Sequence, residues 1–360
     1  MKRRHYVTFA VVLVVLAGLV YLQIREWRKF DWATFEENTA DINWLQILFA
    51  VFLIHCADFL RSIRWKIFLR PTHPDASWKS LVAPQFIGFA GMALFGRPGE
   101  LIRPYLISLR TKSLFSHQLA LWFVERAFDT GAVALILAVD LFLVPQMRRD
   151  FRDDWYLGYI ILGLFVVLLA ALYAVWRRGP QISSWFRRKV APHSESLSHT
   201  VEQRVRILSE GLHAVRDWNS LLQAGGISFV IWMLVAFSYR QILHAFAPAT
   251  GLADFGLPQG ILLMGASVAG GVAQLPFIGG GAQLATVAIL SKSFDYSDRP
   301  EIAVAASIMF WLVTFMSVAP LGLILARFEH ISLRKLTRES EREANREEGV
   351  SQNGGTSKSA

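Results

Sequence analysis

The sequence predicts an all-α integral membrane protein, a polytopic helical bundle of about six full spans plus two re-entrant hairpins. Composition is the first reason. The 360 residues are 53% hydrophobic and 18% charged, with a mean hydropathy of +0.36, and apolar runs of about 18 or more residues recur along the chain. The second reason is that two apolar runs differ from the rest. Residues 81–96 are short for a span and broken by Pro84, Gly88, Gly91 and Gly96; residues 259–290 are punctured by Gly265, Gly270, Gly271, Pro276, Gly279, Gly280 and Gly281. The third is the distribution of Lys and Arg, which marks the cytoplasmic loops.

The elements follow from where the apolar runs stop. A basic start, MKRRH, precedes an apolar run at 6–24. It resembles a signal peptide, but no small-x-small cleavage site follows, so an uncleaved anchor helix is expected. The polar stretch 26–41 carries aromatic residues suited to a membrane interface. A second span is expected at about 43–60, ended by a basic segment in which Arg61, Arg64, Lys66 and Arg70 gather around Trp65. Arg61 and Arg64 share a helical face, and reaching out to lipid phosphates from the interface is their expected role. The run at 118–145 is ample for a span and that at 156–176 is clean. The loop 177–217 carries eight Lys and Arg, among them Arg177, Arg187, Lys189 and Arg216. Spans at 221–246 and 302–326 flank the punctured run. The tail 331–360 is charged and then Gly/Ser-rich, a composition expected to be disordered.

Orientation turns this order into an architecture. With the basic loop inside, 156–176 runs inward and 118–145 outward, so both flanks of the first broken segment are cytoplasmic. That segment is expected to dip in and return, over about 80–112. With the basic tail inside, both flanks of the second broken segment are external, and it dips from the other side over about 258–290. Each half then reads span, span, hairpin, span, in opposite orientations. That is the inverted repeat of secondary transporters, whose interrupted helices mark the binding site. Eight plain spans with glycine-rich packing helices are the alternative. Residues 1–330 form one transmembrane domain on this reading, with both termini cytoplasmic.

The chemistry is expected where charge meets these breaks. Ionised groups persist in hydrocarbon only when paired or lining a cavity. Arg97, Glu100 and Arg103 surround the break at Gly96, Pro98 and Gly99; Glu125, Arg126 and Asp129 lie inside the span that follows. Arg126 and Asp129 are neighbours on a helix and predict a local ion pair, leaving Glu125 to Arg97 or Arg103. Glu125→Gln is then expected to remove function and leave the fold, and Arg126→Ala to destabilise it by stranding Asp129. A helix starting near Gly99 would aim freed backbone N–H groups at an anion. Arg97 and Arg103 add planar forks that match phosphate oxygens. A lipid-phosphate or phospholipid headgroup site is one reading; an internally paired lock between helices is the other. In the second hairpin, Pro276, Gly279, Gly280, Gly281 and Gln283 offer close backbone approach and a polar amide.

The segments LRSIRW, GRPGELIRPYLISL, FVERAFDTGAVAL and LPFIGGGAQ resemble the transmembrane, flippase-like family of lysylphosphatidylglycerol synthetases over about residues 5–330. The resemblance implies a multi-pass protein of the bacterial inner membrane that moves or binds lipids, with Arg97, Glu100, Arg103, Glu125, Arg126 and Asp129 important to it. Two departures stand out. Many members read PGG-x-G with a following Glu where this chain has IGGGAQ, ending in Gln283. Only residues 327–360 follow the last span, so the synthetase domain and aminoacyl transfer are not expected.

Other classes fit less well. The net charge of +9 sits in loops and tail, where it meets an anionic lipid surface rather than nucleic acid. The single cysteine, Cys56, forms no intrachain disulfide, and with His55 and Asp58 it is a weak metal signal. No metal or cofactor is expected, and no Walker-type motif is present. A lipid translocase, running downhill or coupled to protons through Glu125 or Glu100, is the leading expectation. An intramembrane transferase acting on lipid-linked substrates, or a non-transporting scaffold, is the alternative; homo-oligomer formation stays open.

Overall fold

The computed structural model describes residues 32–145, 218–271 and 280–328, with residues 147, 163, 166, 167, 170 and 181. The expected first span, most of 156–176, the basic loop and the tail lie outside them. The described residues are helical, with no strand among them. The elements are α1 (Trp32–Ala40), α2 (Trp44–Leu69), α3 (Trp78–Phe95), a 3-10 turn (Arg97–Leu101), α4 (Ile102–Thr111), α5 (Phe115–Leu143), α6 (Trp218–Ala245), α7 (Leu257–Gly270), α8 (Gly281–Ser293), α9 (Pro300–Trp311), a π turn (Leu312–Met316) and α10 (Val318–Phe328). Three helical stretches are long and apolar enough to cross a membrane: Trp44–Leu69, Trp218–Ala245 and Pro300–Phe328.

The antiparallel pair α2 and α6 is the axis of the bundle. Asn43 caps α2, its side chain accepting from the N–H of Leu45 at 3.1 Å. From there contacts run down the pair: the Asn43 N–H donates to the Ala245 carbonyl at 2.8 Å, Ser238 Oγ to the Ala50 carbonyl at 3.1 Å, and Arg70 to Gln223 at 2.7 Å. Ala50 and Ala236 are fully buried; small residues let two backbones approach this closely. The outer face of α2 carries Leu45, Leu48, Phe49 and Phe52, all exposed. That apolar stripe at helical spacing suits lipid rather than water.

α2 does not stop near residue 60. It runs on to Leu69, taking Arg61 and Arg64 into the bundle. Where the sequence places these arginines at the interface, the structure buries both. The reason is that both turn inward to carboxylates, so the helix has no need to end at the headgroups.

Among the described residues, each broken segment holds two helices that pack on each other. In the first, Gly96 (φ 69°) ends α3 and leads into the 3-10 turn. α4 then packs back on α3: a Cβ on Gly88 would meet Arg103 Cβ, and one on Gly99 would meet the Gly91 carbonyl. In the second, Gly280 (φ 57°) precedes α8, and a Cβ on Gly270 would meet the Gly281 carbonyl. Both return helices thus start after a glycine in a conformation that side chains disfavour, and both hairpins close glycine against glycine. The spans cross over between hairpins. Gly322 of α10 lies against the Phe86 carbonyl of α3, and Gly265 of α7 against Leu137 of α5.

Candidate functional site

Charged residues from separate helices converge at the centre of the first half. α2 supplies Arg64, which is fully buried. Its Nη1 donates to Asp129 Oδ1 and to Ser228 Oγ, each at 2.6 Å, and its Nη2 to Glu125 Oε1 at 2.6 Å. α4 supplies Arg103, which donates to Glu125 Oε1 at 3.1 Å and Gln85 Oε1 at 3.0 Å, and also binds Glu125 Oε2. The Arg103 guanidinium stacks 4.5 Å from the centre of the Trp65 ring. On α5, Arg126 Nη2 stands 2.9 Å from Asp129 Oδ2, and Trp232 Nε1 of α6 donates to Asp129 Oδ1 at 3.1 Å. The local Arg126–Asp129 pair is therefore present, and Glu125 pairs with Arg103 as well as with Arg64.

This cluster is closed on itself. Glu125 is fully buried and both its oxygens are occupied. Breaking one side of such a pair leaves an uncompensated buried charge, while the intact pair is close to neutral in stability. Its mechanical effect is to pin α2, α3, α4, α5 and α6 to one another.

Next to the cluster is a cavity of about 140 Å³, large enough to hold ordered water. Its charged wall holds Asp58, Arg61, Glu100 and Arg126, two carboxylates and two guanidinium groups. Arg61 donates to Asp58 Oδ1 at 3.2 Å and lies 5.0 Å from the Phe89 ring centre and 5.6 Å from that of Trp232. Arg126 is the most accessible charge, its side chain 34% exposed. The rest of the lining is mixed, apolar at Met92, Val235, Met264 and Phe315 and polar at Tyr239, Ser267 and Thr314. Both hairpins and the π turn contribute to it; such turns within helices recur at functional sites.

The sequence-predicted residues divide between these features. Arg103, Glu125 and Asp129 belong to the closed cluster, with Arg64, which is sealed from any interface. Glu100, Arg126 and Arg61 line the cavity. Gly99 belongs to the turn, and its N–H donates to the Gly96 carbonyl at 3.0 Å, so this donor is used within the chain rather than freed for an anion. The backbone of Arg97 starts the 3-10 turn; its side chain, with Pro276 and Gly279, lies outside the described residues. Gly280, Gly281 and Gln283 are in the second hairpin and do not line this cavity. Sequence reasoning passed over the roles of Gln85, Ser228 and Trp232, and took Asp58 for part of a weak metal signal. Asp58 had a signal: a carboxylate one helical turn before Arg61 in an apolar run. Among the described residues, no three His, Cys, Asp or Glu side chains are placed to share a metal ion.

The family model described as the lysylphosphatidylglycerol synthase TM region matches residues 7–322. No curated protein and no solved structure matches the chain.

Proposed function

The chain belongs to the family of lysylphosphatidylglycerol synthase transmembrane regions, and from that premise we propose that it binds a phosphate-bearing lipid by its headgroup in the central cavity and carries it across the bacterial inner membrane. The observation that carries the reading is the mixed lining of the cavity. It offers Arg61 and Arg126 to a phosphate and apolar side chains such as Val235, Met264 and Phe315 to the lipid behind it. Pockets for amphipathic ligands combine an apolar lining with a few placed polar groups. The closed cluster is the frame that fixes α2 and α5, and so holds Arg61 and Arg126 in the cavity lining. No catalytic step enters this reading.

The proposed topology is about six spans and two re-entrant hairpins, related as an inverted repeat, with both termini cytoplasmic. The matched glycine closures and the exchange of spans between hairpins support it. In a Cys56→Ser background, a cysteine at Ser297 should react with an impermeant thiol reagent from outside and one at Ser183 should not. The reverse pattern would overturn the orientation.

Transport is tested with purified protein in liposomes containing fluorescent phosphatidylglycerol and an impermeant quencher. The parent should expose the inner-leaflet lipid that protein-free vesicles protect. Arg126→Gln should slow this at least about tenfold while the protein stays folded, because Asp129 keeps Arg64 and Trp232, and a charge-assisted contact is worth about 1.5–3 kcal/mol. Parent vesicles no faster than empty ones would sink the translocase reading.

A further inference from the structure

One cavity carboxylate is less committed than the rest. Asp58 is 2% exposed and lines the cavity. Its Oδ1 accepts a single hydrogen bond, from Arg61 at 3.2 Å, and its Oδ2 accepts none from the protein. Arg61 is equally under-used: its Nε has no acceptor, and its guanidinium otherwise meets only aromatic faces. The contrast with Glu125, which is clasped by Arg64 and Arg103 at short range, is large. A buried carboxylate held by one long contact is poised to lose its partner to a competing anion.

We propose that Asp58 takes up a proton when a lipid phosphate binds at Arg61, so that headgroup binding and proton binding are coupled in this chain. The proposal rests on the headgroup reading above and adds its coupling group. In the empty cavity, the Asp58 carboxylate pairs with Arg61. An arriving phosphodiester takes over the Arg61 guanidinium and leaves the Asp58 carboxylate beside a second anion, without its only hydrogen-bond donor. A proton from water on Asp58 removes the repulsion, and the new O–H can donate to a phosphate oxygen. On release, the proton returns to water and Asp58 pairs with Arg61 again. Linkage makes the effect reciprocal: whatever factor phosphate adds to proton affinity, the proton adds to phosphate affinity.

The groups around Asp58 are engaged elsewhere or neutral, and substitution of Asp58 itself separates its response from theirs. On its own helix, His55 is held through Nδ1 at the Val51 carbonyl, 2.9 Å away. From α4, Arg103 is engaged with Glu125 and Gln85. From α5, Glu125 lies behind in the closed cluster and Arg126 is paired with Asp129. Glu100, on the 3-10 turn, has a partner of its own and lies in the field of Arg126. α6 presents the Tyr239 hydroxyl, α3 presents Phe89 and Met92, and α7 and the π turn present the neutral groups of Ser267 and Thr314.

The test is calorimetry of the purified protein with short-chain phosphatidylglycerol, in buffers of different ionisation enthalpy between about pH 5 and 8, a range in which a phosphodiester stays a monoanion and an ordinary carboxyl is ionised. At the alkaline end of this range the parent should take up a proton fraction that approaches one per lipid, and there its affinity should rise as pH falls, by at most about tenfold per pH unit. Asp58→Asn should bind with no proton uptake and with affinity flat across the range. Asp58→Ser, smaller and neutral, repeats the test if the amide misfolds. A parent that binds without proton uptake, or an Asp58→Asn protein that takes up as many protons as the parent, overturns the coupling role and leaves the headgroup reading standing. Absence of binding at every pH removes the headgroup reading, and the coupling role with it.

Discussion

Glu125→Gln should cost this protein its fold, not only its function. The substitution keeps the shape of the side chain and removes one charge. In a hydrated groove that would be a mild change. Here the glutamate is fully buried between Arg64 and Arg103, with Arg126 3.7 Å away. The intact cluster sets three guanidinium groups against two carboxylates; the variant sets three against one, with Arg64 and Arg103 among them buried. Removing one partner of a buried pair costs about 3–5 kcal/mol, a large part of a typical margin of about 5–15 kcal/mol. The expected result is a clear fall in unfolding temperature and in monodisperse protein after extraction. Adding Arg103→Gln to Glu125→Gln removes an unpaired charge and should recover much of the loss. If Glu125→Gln unfolds with the parent and the double variant is worse, the cluster is hydrated and open, and Glu125 returns to the list of headgroup ligands.

This reverses the roles that the sequence suggests. From spacing alone, Glu125 is the free carboxylate and Arg126 the partner without which Asp129 is stranded. Helical spacing identifies neighbours on one helix, and it found the Arg126–Asp129 pair. It cannot see Arg64, which lies 61 residues from Glu125 and 65 from Asp129 in the chain. A run of Arg, Trp and Lys after an apolar stretch reads as an interface, because that is where unpaired arginines are cheap. Burial becomes cheap only once partners from another helix are known, and no local pattern carries that information. The helix breaks were legible for the opposite reason. They are written locally, in glycines, and the positive φ of Gly96 and Gly280 falls within the two segments that read as broken. The identity of the cavity residues was partly legible: Glu100, Arg126 and Asp58 by their cost in an apolar setting, Trp232 only by where α2 and α6 come together.

Gly99→Ala should be among the most damaging single-methyl changes in the chain, and a substitution on the other side of the same contact shows why. A Cβ at Gly99 would run into the Gly91 carbonyl and the Met92 nitrogen. Those atoms belong to the backbone of α3, so relief requires the two arms of the hairpin to move apart. A Cβ at Gly91 would instead meet Ile102 Cδ1 at 2.5 Å, the end of a flexible side chain, and the Gly99 carbonyl only at 3.3 Å. Rotation of Ile102 relieves most of that. Overpacking typically costs about 1–3 kcal/mol; Gly99→Ala belongs at or above the upper end and Gly91→Ala at the lower. Separation of the arms would also displace Glu100 in the cavity lining, so lipid transport should fall further than stability does. Gly270→Ala, whose Cβ would meet the Gly281 carbonyl, should repeat the effect in the second hairpin. At Gly225 no atom lies within 4 Å of the added carbon, and there alanine should be neutral or stabilising, by about 0.5–1 kcal/mol through helix propensity. Thermal unfolding of the four variants in one detergent, alongside the liposome assay, reads the order. If Gly99→Ala and Gly91→Ala unfold at the same temperature, the backbone contact between the arms is not what holds the first hairpin closed.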